Sequence, residues 1–161
     1  MGLHKPELVI YGTDSTLLET LKKASATLPY ISYEVGYGPE VVARAHLDAL
    51  WATPFAGIEL FGAAPPFPLR EARVLMTPQA QLKRGMPRYG VVGVATTEND
   101  PKDPVSNLQL VISALLRAIS NFNNSQESDM IRRVGILPQD LDLNRMEPAL
   151  AFRIIHDIYQ A

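Results

Sequence analysis

The chain of 161 residues has no cysteine, one tryptophan and almost no excess of charge of either sign. Without cysteine there is no disulfide, no thiolate nucleophile and no sulfur-ligated metal. Fifteen basic against 17 acidic residues give a formal net charge of -2, which argues against a broad nucleic-acid surface. The sequence also lacks an apolar run near the roughly 20 residues that span a bilayer, and its start lacks the apolar core of a secretory signal. We therefore expect a soluble, cytoplasmic protein, with neither nucleic acid nor a membrane as its partner.

What the chain does have is an ordinary globular composition, with 47% hydrophobic and 20% charged residues. Its length is typical of one domain. A domain of this size buries roughly 70% of the surface that its unfolded chain exposes. No internal repeat, linker or low-complexity tract divides the sequence, so we expect a single domain over residues 1–161.

The hydrophobic pattern predicts an alternation of strands and helices. Short apolar runs bounded by turn residues predict six strands, at 8–11, 31–35, 48–52, 73–76, 88–95 and 134–137. Apolar residues at helical spacing predict helices, one ending near Leu28 and the others at 40–46, 105–119 and 147–159. Polar or proline-rich stretches predict loops at 53–68, with a helical turn near 58–61, and at 77–87, 96–104 and 121–129. This order predicts an α/β protein, a three-layer α/β/α domain around a mixed, mostly parallel sheet.

Several local strings resemble those of a macro domain, the fold that binds ADP-ribose. The stretch Leu47–Gly57 (LDALWATPFAG) is similar to a strand that runs into the first ligand loop of that family. Met86–Ala95 (MPRYGVVGVA) resembles its next core strand, and the helix 105–119 resembles the amphipathic helix that follows. Ile136–Pro138 is placed like the strand that enters the second phosphate loop. The resemblance covers nearly the whole chain, as a pattern rather than as one diagnostic string.

The loops depart from the macro-domain pattern where a ligand would bind. The family usually has an acidic residue for the adenine amino group where this chain has Gly36-Tyr37-Gly38. The first loop of the family usually has an asparagine and consecutive glycines, whereas Thr53–Glu59 has no asparagine and one glycine. The second loop of the family usually has several glycines, whereas residues 138–143 of this chain have none. Asp140 and Asp142 would also repel a diphosphate, by on the order of 4 kcal/mol for each contact at about 4 Å. The resemblance is therefore to a degenerate, macro-domain-like member.

The resemblance implies a binding module whose crevice is formed by residues 36–38, 53–62 and 138–142. We expect Tyr37 or Phe55 to stack on a base, because base–aromatic stacking tolerates any base and adds about 1–3 kcal/mol. The ligand of uncertain identity is a nucleotide or ADP-ribose-like molecule, or else a protein partner. The binding residues expected from the resemblance are Tyr37, Thr53, Phe55, Ala56, Gly57, Pro138, Gln139 and Asp140.

Two other functions stay open at this point. An ADP-ribosyl or phosphoester hydrolase would need a positioned base, for which Asp140, Asp142, Glu59 and His46 are the candidates. A structural or oligomeric protein would use the apolar loop Ala63–Leu69 as its interface. The sequence assigns no catalytic residue, metal ligand or cofactor, and it does not indicate the oligomeric state.

Other polar clusters are better explained as ordinary structure. Gly12–Ser15, between the first strand and a helix, favours a turn with a helix cap over an anion site. Asp140 and Asp142 favour solvated loop acids over a metal site, since further ligands are lacking. The basic clusters at 83–88 and 132–133 are typical of solvated faces at this overall charge.

Overall fold

The computed structural model describes residues 5–94, 103–126 and 129–161, and the elements below are those of this part of the chain. The strands are β1 (Glu7–Gly12), β2 (Ile31–Val35), β3 (Ala49–Ala52), β4 (Ala72–Met76), β5 (Tyr89–Gly93) and β6 (Arg133–Ile136). The helices are α1 (Ser15–Ala24), α2 (Gly38–Ala45), α3 (Pro54–Phe61), α4 (Gln79–Leu82), α5 (Pro104–Asn124) and α6 (Pro148–Gln160), with a 3-10 helix at Pro138–Leu141. The end of the predicted strand 88–95 and most of the predicted loop 96–104 lie outside the described residues.

The six strands form one sheet in the order β2-β1-β6-β3-β5-β4. Every neighbouring pair is parallel except β4 with β5, which are consecutive in the chain and antiparallel. β6 lies between β1 and β3, so the last strand of the chain pairs with two strands from its first third. The predicted mixed, mostly parallel sheet is confirmed.

Helices cover both faces of the sheet, and the side chains of β1 show why. Leu8 and Ile10 are buried in a cluster with residues of α1, α5 and α6. Val9 and Tyr11 are buried in a second cluster with residues of α2 and α3. Successive side chains of a strand point to opposite faces, so a strand buried on both faces is apolar nearly throughout. The three-layer α/β/α fold class is confirmed.

The helical turn predicted near 58–61 is part of the two-turn helix α3, and the loop predicted at 53–68 is wrong at 54–57, where this helix begins. Proline is a loop signal in the sequence, but Pro54 occupies the first turn of the helix, where its missing N–H costs nothing. The helix ends at Gly62, whose φ of 68° is the left-handed conformation that glycine adopts easily at a helix C-terminus.

The predicted loop at 121–129 is also wrong at its start, because α5 continues to Asn124. Asn123 is 2% exposed and is held by two hydrogen bonds to the backbone of Ile131. Its amide Nδ2 donates to the Ile131 carbonyl at 2.9 Å, and the Ile131 N–H donates to Oδ1 at 2.7 Å. A tertiary contact thus extends the helix through a stretch that is polar in sequence.

Candidate functional site

A cavity of about 370 Å³ opens at the carboxyl end of the parallel strands β1, β2 and β6. It is lined by three stretches that follow these strands: 11–14 with Leu17 and Leu18, 36–38, and 137–139. In open α/β sheets, ligands bind in crevices at this edge of the sheet. Its volume lies in the range of about 300–1,000 Å³ that is common for small-molecule sites. This cavity is therefore the candidate binding site.

The first wall is the turn from β1 into α1. Asp14 is the N-cap residue of α1, and its carboxylate Oδ1 accepts a hydrogen bond from the N–H of Leu17 at 3.0 Å. The cap satisfies one of the free amides at the start of the helix and is worth about 1 kcal/mol. The predicted turn and cap at 12–15 are confirmed, and the same residues form one side of the cavity.

The second wall is the turn from β2 into α2. The N–H of Gly36 donates to the carbonyl of Gly12 at 2.9 Å, which ties this turn to the first wall. Gly36 has a φ of 149°, and a Cβ there would stand 2.8 Å from Nη2 of Arg44, so no larger residue fits without a shift. Tyr37 follows as the N-cap residue of α2 in an extended conformation, with 69% of its surface exposed. Its ring is thus available to a ligand at the mouth of the cavity.

The third wall is the turn from β6 into the 3-10 helix. Pro138 is buried, and its Cδ lies 3.7 Å from where a Cβ on Gly12 would stand, so the first and third walls are in close contact. Gln139 is exposed beside it. The N–H of Asp140 is already bound to the carbonyl of Leu137 at 3.1 Å, which closes the turn.

Tyr11 is the most buried aromatic residue of the cavity lining, with 7% of its surface exposed. Burial, assisted by the negative charge of Asp140, raises the pKa of its phenol to about 12. The hydroxyl is therefore protonated at neutral pH, since water stabilises a phenolate far better than this environment does.

The predicted binding residues divide into two groups. Tyr37, Pro138 and Gln139 line the cavity together. Asp140 lies next to the lining and acts on Tyr11 through its charge. The other four predicted residues, Thr53, Phe55, Ala56 and Gly57, belong to the start of α3 and are not part of the lining.

The position of Gly57 has a packing explanation. A Cβ there would stand 2.5 Å from Cγ1 and 2.9 Å from Cγ2 of Val92 on β5. The N–H of Gly57 donates to the carbonyl of Thr53 at 2.7 Å, so this amide is used within the helix. Phe55 is 85% exposed on α3. Glycine at 57 thus allows α3 to lie directly on the sheet.

The candidate bases of a hydrolase are not assembled in one place. His46 follows α2 and precedes β3, so it lies at the opposite, amino edge of the sheet from the cavity, and Glu59 is exposed on α3. Asp142 is 4% exposed, with a φ of 54°, and its Oδ1 lies 3.5 Å from Nη1 of Arg145. In the described residues, no three histidines or acidic residues come close enough together to hold a metal ion.

The proposed interface loop and the basic clusters are held by local contacts. Phe67, in the loop Ala63–Leu69, is half-buried, with the guanidinium of Arg73 4.9 Å from its ring centre. Arg88 pairs with Asp129 at 2.8 Å. The backbone N–H groups of 132 and 133 both donate to the carboxylate of Asp48, at 2.9 and 3.1 Å.

The lining residues outside the predicted crevice are those of Tyr11–Asp14, the two leucines of α1 and Leu137. The sequence signal for them is Gly12–Ser15, which directly follows a buried strand and opens a helix; this pattern favours a helix cap over an anion site. A cap and a cavity wall are compatible, because Asp14 uses one carboxylate oxygen for Leu17.

Comparisons with protein-family models, with curated proteins and with solved structures find no match. Among the described residues, α5 is one helix with the length and hydropathy of a membrane-crossing segment. Residues along its inward face, including Leu108, Ile112, Leu115 and Ile119, are buried in the core, and core helices of soluble proteins share these properties.

Proposed function

We propose that this chain is a macro-domain-like binding module that holds a nucleotide-like small molecule in the cavity between 11–18, 36–38 and 137–139. The observation that carries the proposal is the position of this cavity. It lies where three consecutive parallel strands of the sheet end, β2, β1 and β6, and each of them leads directly into a helical turn. This is the edge at which α/β proteins bind nucleotides.

The side chains suit recognition by shape and stacking. Tyr37 is exposed at the mouth, where its ring offers a flat surface for a nucleobase. Leu17, Leu18 and Leu137 add apolar surface, and Pro138 stiffens the third wall. Few convergent polar groups in a mostly apolar crevice are typical of small-molecule sites. Recognition without chemical turnover is the activity that these residues support.

A thermal-shift screen against adenosine, AMP, ADP and ADP-ribose tests the proposal, with calorimetry for any hit. A ligand at 100 times its Kd adds about 2.7 kcal/mol to the free energy of unfolding. For a chain of this length that raises Tm by roughly 5–11 °C. The proposal fails if none of these compounds raises Tm or gives a calorimetric signal at millimolar concentration.

Two aromatic variants locate the site. Tyr37→Ala should weaken binding by about 5- to 150-fold, because it removes about 1–3 kcal/mol of stacking. Phe55→Ala is the matched control, since Phe55 is even more exposed but belongs to α3, outside the lining. Loss of affinity in the Phe55 variant with none in the Tyr37 variant would place the ligand at α3 instead.

A further inference from the structure

β4 is an edge strand of the sheet, and its outer edge can pair with a further strand. The N–H of Thr77 donates to the carbonyl of Arg88 at 2.9 Å, so this pair of residues bonds across to β5. The hydrogen-bonding direction alternates along an antiparallel strand. The N–H and C=O groups of Ala72, Val74 and Met76 therefore point away from β5. In the part of the chain that the structure describes, no hydrogen bond reaches these outward groups.

The two edges of the sheet differ in their protection against such pairing. At the edge strand β2, the carbonyl of Val35 accepts a hydrogen bond from Nη2 of Arg44 at 2.9 Å, beside the ion pair of Arg44 with Glu34. β4 has no proline, lysine or bulge, the usual means of blocking an exposed edge. Its one charged side chain, Arg73, is turned back onto its own chain, since Nη2 donates to the carbonyl of Ala64 at 2.8 Å. The edge of β4 is thus more open to another strand than the edge of β2.

A small cavity lies at the beginning of β4, on the face of the sheet that α5 covers. Its volume is about 260 Å³, and its lining includes Ala72 of β4 and both Ala114 and Ala118 of α5, while the rest of the lining is polar. Ala72 and Val74 pack against the core cluster that contains α5. Alanine methyl groups fill little space, so the cavity has room for a longer side chain beside the edge of β4.

A large apolar side chain is exposed at the other end of the same strand. Met76 is 79% exposed, although it belongs to a strand of the sheet. Side chains two positions apart on a strand share a face, so Met76 is on the same face of the sheet as Ala72 and Val74. Methionine is unbranched and flexible, and it fills irregular gaps. One end of β4 thus carries an exposed side chain, and the other end carries a cavity that suits one.

A two-fold axis through Val74 brings these two features together. In an antiparallel pair of two β4 strands centred on Val74, Met76 of each copy is directly opposite Ala72 of the other, and opposite residues point to the same face. Each methionine therefore meets the alanine-lined cavity of the other copy. The same axis pairs the outward N–H and C=O groups of the two strands, in about six backbone hydrogen bonds. Such self-complementarity is what a two-fold interface between identical chains requires.

We propose that two copies of this chain associate through β4, in an antiparallel pairing that continues the sheet across the two-fold axis, with Met76 of each copy in the cavity beside Ala72 of the other. β4 is at the opposite edge of the sheet from β2 and β1, so the dimer leaves the cavity of the proposed function open. The dimer and the ligand site are therefore independent, and either can fail in experiment without the other.

Light scattering coupled to size-exclusion chromatography tests the association. From low to high micromolar concentration, the mass should rise from that of one chain, 17.8 kDa, to twice that value. A chain that stays monomeric throughout would overturn the proposal, and the edge of β4 would then be left to an extended peptide of another protein.

Lysine substitutions at the two edges locate the interface. Met76→Lys should raise the Kd of the dimer at least about tenfold, because it removes the apolar side chain from the cavity and adds a charge to the edge. Met76 is mostly exposed, so circular dichroism should show an unchanged fold. Val35→Lys is the matched control, since Val35 is the last residue of the other edge strand and is 48% exposed, and it should leave the dimer intact. Equal dimer Kd values for Met76→Lys and the unmodified chain would contradict the proposal.

Amide hydrogen exchange identifies the pairing itself, without any substitution. The N–H groups of Ala72, Val74 and Met76 should exchange more slowly as the protein concentration rises, because they become hydrogen-bonded only in the dimer. The N–H groups of Arg73 and Leu75 face β5 within one chain, so their exchange should change much less. A dimer in which the three outward amides exchange as fast as in the monomer would have a different interface, and the proposal would be wrong.

Discussion

Replacement of Asn123 by alanine should strongly destabilise the fold. The Asn123 side chain makes two buried hydrogen bonds, at 2.9 and 2.7 Å, to the carbonyl and N–H of Ile131. The variant would leave both backbone groups of Ile131 without a partner, and Ile131 itself is 1% exposed. A buried polar group left unsatisfied costs about 1–3 kcal/mol, so two of them should lower the free energy of unfolding by about 2–6 kcal/mol.

Urea denaturation followed by circular dichroism measures this loss, and a thermal scan gives an independent value. A loss of about 3 kcal/mol corresponds to a fall in Tm of roughly 6–12 °C for a chain of this length. Asn124→Ala is the matched control, because Asn124 is the same residue type, next in the same helix, and exposed. We expect it to change stability by less than about 0.5 kcal/mol.

Equal stability of the Asn123→Ala and Asn124→Ala variants would refute the role given to Asn123. The end of α5 would then be held by its own helical propensity rather than by the segment that leads into β6. A large loss with an unchanged denaturant slope m would support the interpretation, because it indicates lost stability without a change in the unfolded ensemble.

Two further predictions concern Gly57 and Tyr11. Gly57→Ala should cost about 1–3 kcal/mol of unfolding free energy, since its Cβ would stand 2.5 Å from Cγ1 of Val92. The variant should leave the Kd for a ligand of the cavity unchanged. A loss of affinity without a loss of stability would instead make Gly57 a binding residue. Burial and the charge of Asp140 raise the pKa of Tyr11 to about 12 in the folded state, so its stabilising contribution is complete below pH 10 and is lost between pH 10 and 12. That loss of unfolding free energy is about 2–3 kcal/mol. The Tyr11→Phe variant should not show it when stability is measured between pH 10 and 12. Identical pH dependence of stability in the variant and the unmodified protein would contradict the raised pKa of Tyr11.

The strands were predictable because their evidence is local. Leu8–Tyr11 and Tyr89–Gly93 are apolar runs too short for helices, and burial on both faces leaves this pattern in the sequence itself. The core face of α5 was equally clear, since its apolar residues repeat at helical spacing. Where local signals were ambiguous, as at Pro54 and Asn123, the prediction was wrong, because a proline suits a helix start as well as a loop and a polar residue can anchor a helix end.

The sequence alone determined the alternation of strands and helices, and it predicted a crevice to which the turns at 36–38 and 138–142 contribute; Tyr37, Pro138 and Gln139 of these turns line the observed cavity. Only the tertiary structure decided which segment forms the remaining wall of the cavity. Strand order places β6 directly between β1 and β3, so the turn after β6 meets the turn after β1 and closes the cavity with 11–18 rather than with α3. Strand order depends on how distant apolar faces pack against each other, and no short stretch of sequence carries that information.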